Sequence, residues 1–248
     1  MDEHVAVGLV PATDYSFLIR RLHSLTGLAP IGAYLVIHLF TNASILAGPE
    51  AFQSNVDRIH LLEKMKILWL VEWVFIFIPI IFHGLLGVVI WQTSEPNASR
   101  YQYGANLRYT LQRWTGIIAG VFIAYHVWQF HWMFKALGGG AFDAQEAALS
   151  TARTIQASWW IGPFYAVGVL ASVYHLANGI WTSLITWGIT IGPRSQRVAG
   201  YVCTAFGIAL GLVGIGALSG FKAFRSRGTP ALQAREIISI PVQPGAGE

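Results

Sequence analysis

Four histidines stand inside long apolar stretches of the chain: His38, His83, His126 and His175. Ionisable side chains are costly in lipid and are scarce there unless they serve a function. A neutral imidazole offers one nitrogen lone pair to a metal while its other nitrogen donates a hydrogen bond. The helical rise gives each histidine a depth. Entering from the side of Arg21, His38 lies roughly 25 Å along its run, and His126, entering from that side after Arg113, lies roughly 20 Å along. His83 and His175 enter from the opposite side, after Lys66 and near Trp159, and lie roughly 25 and roughly 24 Å along. The histidines therefore sort into two layers: His38 with His126, and His83 with His175. Two imidazoles from different helices at one depth are what an iron porphyrin gripped on both faces needs. Two layers point to two such haems, stacked across the membrane.

Other readings of these residues exist. A lone buried histidine is more often a hydrogen-bonding residue between helices than a ligand. Four at matched depths on four helices shift the balance to haem. His131, five residues past His126, reads as interfacial; His60 reads as a loop residue and His4 as a tail residue. Gly87 and Gly179 each follow an inner-layer histidine by four residues, and Gly32 and Gly120 each precede an outer-layer one by six, which would let a flat ring approach the backbone. Arg20, Arg21, Arg113, Arg194 and Arg197 gather on the inner side as candidate partners for haem propionates. Glu72 is either a snorkelled carboxylate or part of a proton path to a quinone.

These residues need helices to carry them. The 248 residues are 54% hydrophobic and only 11% charged, with 10 Trp, 14 Phe and 9 Tyr. A soluble domain carries about 25% charged residues, so much of this chain lies in lipid. A hydrocarbon core of about 30 Å takes roughly 20 helical residues. Five runs are long enough: Leu22–Ala47, Ile67–Trp91, Trp114–Phe134, Ser158–Ile191 and Val198–Phe221. Gly48-Pro49, Glu95-Pro96-Asn97, Gly138-Gly139-Gly140 and Gly192-Pro193-Arg194 mark the connections. Pro30, Pro79 and Pro163 fall inside runs and should kink them. The fold class is thus an all-α polytopic membrane bundle: an N-terminal segment 1–15, a five-helix region 16–224 and a polar tail 225–248. Asp2 and Glu3 replace the basic start of a signal peptide. The positive-inside count favours a cytoplasmic N-terminus without the tail and reverses with it; the N-terminus is placed inside.

The single cysteine, Cys203, rules out an intrachain disulfide, a four-cysteine iron–sulfur cluster and a C-x-x-C-H haem attachment, so any haem is held non-covalently. A net charge of +4 with no basic stripe gives no sign of nucleic acid.

Several stretches go further than composition. Arg20-Arg21-Leu22-His23-Ser24-Leu25 opens the first run, with Ile37-His38-Leu39 beyond it. Gln112-Arg113-Trp114-Thr115-Gly116-Ile117-Ile118 leads to His126-Val127-Trp128. His175-Leu176-Ala177-Asn178-Gly179-Ile180-Trp181 continues to Thr186-Trp187-Gly188-Ile189-Thr190 and Pro193-Arg194-Ser195-Gln196-Arg197. Over about Ser16–Phe221 this resembles the five-helix, di-haem cytochrome b subunits of succinate dehydrogenases and fumarate reductases. The resemblance implies a multi-pass anchor in the cell membrane with its N-terminus in the cytoplasm. It implies partners on that face: a flavoprotein subunit with FAD and an iron–sulfur subunit with its clusters. Electrons would pass from succinate through those cofactors to an inner haem b on His83/His175, an outer haem b on His38/His126, and a quinone, usually menaquinone. Such a subunit belongs to the enzyme without acting on succinate itself. Because succinate oxidation by menaquinone can be uphill, an electron crossing the membrane lets the potential help or oppose it, by about 2.3 kcal/mol per 100 mV.

Two quinone pockets are open: an outer one near Asn42, Glu72, Gln129 and His131, and an inner one near Arg20, His23 and Ser24. The rivals are a di-haem cytochrome b of a hydrogenase, formate dehydrogenase or nitrate reductase, and a haem-free transporter relaying protons through its histidines. The complex could also form a higher oligomer. The tail extends beyond the pattern of the resembled family.

Overall fold

The computed structural model describes residues 16–92 and 104–225. The N-terminal segment with His4, the Glu95-Pro96-Asn97 connection with Arg100, and the tail from 226 onward lie outside the described residues. Among the described residues the chain is helix and turn, with no strand.

The first element, α1 (16–47), changes its hydrogen-bond register along its length. It is α-helical over Ser16–Thr26, π-helical over Gly27–Gly32, α-helical again over Ala33–Ala43 and 3-10 over Ser44–Ala47. Pro30 lies inside the π stretch. Proline lacks an N–H and its ring crowds the carbonyl one turn back; the wider turn accommodates both. The same device recurs in α3 (Leu68–Gln92), where a π turn over Trp73–Phe77 runs directly into Ile78-Pro79. The irregularities expected at Pro30 and Pro79 thus take the form of widened turns. Pro163 is different: it stands third in α6 (Ile161–Thr186), within the first turn, where its missing N–H costs nothing.

Two helices fall where only connections were read. Gly48, at φ 117°, turns the chain out of α1 into α2 (Pro49–Lys64), whose first position is proline. His60 therefore sits on a helix, beside Glu63, and not in a loop. After α3 (Leu68–Gln92) and α4 (Gly104–Phe130), a 3-10 turn over Trp132–Leu137 leads to α5 (Ala147–Gln156). The chain ends its described course in α6 and α7 (Pro193–Ala223). Both α2 and α5 are amphipathic. They pack on each other and share one core with the ends of α4, α6 and α7, including Phe52, Val56, Phe122, Ile155, Tyr165 and Phe221.

Helices α1, α3 and α7 are long and apolar enough to cross a membrane. Helices α5 and α6 together make a further candidate, bent by 106° at the break between them. Helix α4 has the length, 27 residues, but Arg108, Gln112, Arg113, His126 and Gln129 dilute its apolar character. The outward faces are greasy: Phe75, Ile78, Ile81, Leu85 and Val88 of α3 and Ile208 and Leu212 of α7 are all exposed. Continuous exposed apolar surface of this kind suits lipid and not water.

The packing order matters for the site. Helix α6 lies between α4 and α7, α7 also meets α1, and α1 meets α3. By contrast α1 and α4 hardly touch, and neither do α3 and α6.

Candidate functional site

The helices that avoid each other are the ones that carry the paired histidines. His83 of α3 faces His175 of α6 with ring centroids 6.0 Å apart and ring planes at 89°. His38 of α1 faces His126 of α4 with centroids 5.6 Å apart and planes at 79°. The structure thus brings together the two couples read from depth.

Each ring is anchored through Nδ1. His83 donates from Nδ1 to the His23 carbonyl at 2.9 Å, and His175 donates to the Gln112 carbonyl at 3.1 Å. A carbonyl only accepts, so the proton is on Nδ1 and Nε2 keeps its lone pair. Gln112 returns the contact: its Nε2 donates to the His175 carbonyl at 3.1 Å, while Asn178 donates to Gln112 Oε1 at 2.9 Å. In the other couple the anchors are phenols. Tyr165 donates to Gln129 Oε1 at 2.6 Å, which turns its oxygen toward His126 Nδ1, 3.3 Å away. The Tyr34 hydroxyl lies 3.4 Å from His38 Nδ1, and Asn42 donates to the His38 carbonyl at 2.8 Å.

This arrangement fits an axially ligated porphyrin. An imidazole nitrogen binds a metal at about 2 Å; with the ring centre about 1 Å further back, two imidazoles on opposite faces of one ion have centroids roughly 6 Å apart. The separations of 5.6 and 6.0 Å meet that requirement. Among the described residues no group of three or more His, Cys, Asp or Glu gathers as a polydentate metal cage would need. Helix pairs that stand off from each other leave room for a flat ring between them.

A third imidazole joins the His83/His175 couple. His23 stacks on His83 at 4.0 Å with planes 11° apart, and its Nδ1 is buried with no partner. Its neighbour Ser24 shares a 2.7 Å hydrogen bond with Ser183 and accepts from Trp187 Nε1 at 3.3 Å.

No family model matches the chain. Over 205 residues it is 38% identical to the succinate dehydrogenase cytochrome b558 subunit of Bacillus subtilis (strain 168), covering 83% of this chain and 96% of that protein. The chain belongs to the succinate dehydrogenase cytochrome b subunits. It is a membrane-anchor subunit, and so part of an oxidoreductase complex.

Around the imidazole couples of this cytochrome b subunit, the remaining predicted residues take distinct positions. Glu72 of α3 faces His131, just past the end of α4, with Oε2 3.6 Å from Nε2. The Met133 N–H donates to His131 Nδ1 at 3.4 Å, so the His131 proton sits on Nε2, toward the carboxylate. Phe77 packs edge-on against the same ring. Gln129 is buried, only 7% exposed, and occupied by Tyr165.

The arginines differ among themselves. Arg113 donates to the Trp91 carbonyl at 2.7 Å and the Tyr109 hydroxyl at 3.0 Å. Arg21 lies over the rings of Phe17 and Trp187. Arg20 is exposed one turn before His23, and Arg197 is exposed near the start of α7. Arg194 lines a cleft of about 720 Å³ between α6 and α7 with Thr190 and Ser195. A second cleft, of about 570 Å³, lies between α6 and α7 at Gly162 and Lys222. None of the four paired histidines lines either.

The glycines have different neighbours. Gly87 abuts His23, Gly179 abuts the Gln112 side chain and Gly32 abuts Leu176, so none of these three opens onto a paired ring, while Gly120 has no side chain against it. Sequence reading passed over Tyr34 and Tyr165 and did not give Gln112 a role at His175. Tyr34 carried one available signal: it precedes His38 by four residues and so shares its helix face. Tyr165 lies on another helix and had none.

Proposed function

We propose that this subunit conducts electrons across the cell membrane through two haem b groups, an inner one held by His83 and His175 and an outer one held by His38 and His126. The observation that carries this reading is the pair of imidazole couples, each at axial-ligand spacing and each bridging helices that otherwise stand apart. Bound haem supplies one-electron redox chemistry. The chain's own residues do the rest. The His23 and Gln112 carbonyls fix the tautomer of the inner ligands, and Tyr34 and Tyr165 orient the outer ones. Hydrogen bonds to the ring nitrogen that faces away from the metal hold ring orientation and raise ligand basicity.

In this reading α1, α3, α4, α6 and α7 are the five spans, with the N-terminus in the cytoplasm. A flavoprotein subunit carrying FAD and an iron–sulfur subunit carrying its clusters dock on that face and deliver electrons from succinate. Arg20, Arg21, Arg194 and Arg197 stand on the same side, available to propionates or to the docked subunits. The electron acceptor is a quinone, in this branch menaquinone. The outer pocket is favoured over the inner one because it sets a carboxylate, Glu72, 3.6 Å from an imidazole, His131, as a proton-bearing couple for a quinone, whereas His23 of the inner one is stacked on His83. Ser24, of the inner alternative, is already engaged by Ser183 and Trp187.

A reduced-minus-oxidised spectrum of the purified complex, with haem stoichiometry, tests the conduit. Two b-type signals are expected; His83→Leu and His175→Leu should remove one, and His38→Leu and His126→Leu the other. Absence of b-type absorbance, or losses grouped differently, overturns the reading. For the quinone, Glu72→Gln should depress quinone-linked turnover at least ten-fold while succinate still reduces both haems. Normal turnover in that variant removes the outer pocket.

A further inference from the structure

The inner couple repeats one construction twice. His83 reaches the carbonyl of His23, and its ring lies on Gly27, four residues later on the same helix. His175 reaches the carbonyl of Gln112, and its ring lies on Gly116, again four residues later. The spacing has a geometric cause. In a helix the carbonyl of residue i points along the axis toward residue i+4. A ring that reaches that carbonyl from the side must therefore lie against residue i+4. A β-carbon on Gly27 would sit 2.8 Å from His83 Nδ1, and one on Gly116 would sit 2.9 Å from His175 Cε1. Both rings are stiff parts of half-buried side chains, and neither can stay on its carbonyl if a methyl group takes that space. The outer couple lacks the device, because Tyr34 and Tyr165 anchor it instead.

We propose that Gly27 and Gly116 are positioning residues for the inner haem: paired notches on the helices facing its ligands, each admitting one imidazole to the carbonyl one turn earlier. The inference rests on the reading of His83 and His175 as haem ligands. It concerns the imidazoles, whereas the glycines singled out in the sequence, Gly87 and Gly179, read as room for the flat haem ring.

The test uses the assembled succinate dehydrogenase complex carrying Gly27→Ala, Gly116→Ala or Gly84→Ala. Gly84 lies next to His83 on α3 with no atom within 4 Å of a β-carbon, so its variant reports the generic effect of the substitution. Low-spin ferric haem signals and redox titration are followed in each, and the inner signal is identified as the one absent from His83→Leu. Gly27→Ala and Gly116→Ala should each lower retention of the inner haem ten-fold or more, or shift its ferric signal, with the outer haem unchanged; Gly84→Ala should leave both as in the parent. An unchanged inner signal in the first two variants overturns the proposal, and so does joint loss of both haems, since the effect must stay local to one couple. A parent complex lacking two b-type signals sinks the haem reading itself and is thereby distinguished from failure of the notches.

Discussion

The Tyr165 hydroxyl carries two contacts, and on the proposed haem reading its removal should separate the His38/His126 couple from the His83/His175 couple. Tyr165→Phe keeps the ring, which packs against Phe122, Phe130 and Phe164. It deletes the 2.6 Å donation to Gln129 and the acceptor 3.3 Å from His126 Nδ1. Gln129 is 7% exposed, so its carbonyl loses a donor that water does not replace. An unsatisfied buried polar group costs about 1–3 kcal/mol in a water-soluble protein, while hydrogen bonds between membrane helices average about 0.6 kcal/mol, since the unfolded chain in lipid also finds partners. A net loss of about 1–2 kcal/mol in stability is expected. The effect on ligation is larger: loss of a ligand's hydrogen-bond partner typically weakens metal binding 10–100-fold, which is about 1.4–2.7 kcal/mol. Haem content by pyridine haemochrome, with redox titration of the difference spectrum, should show depleted or shifted outer haem and a normal inner one. Two full-strength unshifted signals, with stability unchanged in denaturant, would refute the role of the hydroxyl.

The remaining predictions concern stability. Gly168→Ala on α6 places a methyl group into the ring of Phe122 on α4, with Cδ1 2.7 Å from the new carbon, and overpacking there should cost about 1–3 kcal/mol in a thermal or denaturant unfolding measurement. Gln53→Ala removes bonds to the Ala144 carbonyl at 2.6 Å and from the Ala147 N–H at 3.0 Å; hydrogen exchange should show the start of α5 fraying, with about 1–2 kcal/mol lost. Gln112→Leu leaves the backbone carbonyl on His175 but strips Asn178 of its 2.9 Å partner, and should lower the unfolding midpoint by more than Gly84→Ala does while the outer haem signal holds.

What could be read in the sequence follows from which quantities are local. Helical rise is nearly constant, so position alone sorted His38 with His126 and His83 with His175, and the structure places the ring centroids of each pair 5.6 and 6.0 Å apart, with their planes nearly perpendicular. Hydropathy located α1, α3 and α7 because their polar residues are few. It could not show α2 and α5: an amphipathic helix that lies on its neighbours has no long apolar run, and Gly48-Pro49 reads as a turn though it is a helix start. Anchors supplied by the backbone were invisible for another reason. The carbonyls on His83 and His175 belong to whatever residue stands there, and only the three-dimensional register selects His23 and Gln112. Tyr165 reaches His126 across a helix interface, from a residue 39 positions away in the chain.

The division of labour among the helices explains how a bundle holds together around two gaps. Helix α7 carries no histidine, yet it packs on α6 along nearly its whole length and also on α1. Its contact face is built of small residues. A β-carbon on Gly207 would meet Ala177 at 2.9 Å, and one on Gly214 would meet Val169 at 2.6 Å, so the backbones approach as closely as side chains allow. Lipid removes the hydrophobic drive between helices, which leaves close packing as the main source of association. Stability concentrated at the α6–α7 and α7–α1 contacts lets α1 stand off from α4, and α3 from α6, without collapse. Those two separations are where the imidazole couples lie. A bundle with evenly shared packing would close them and leave no room for the haems of the proposed reading.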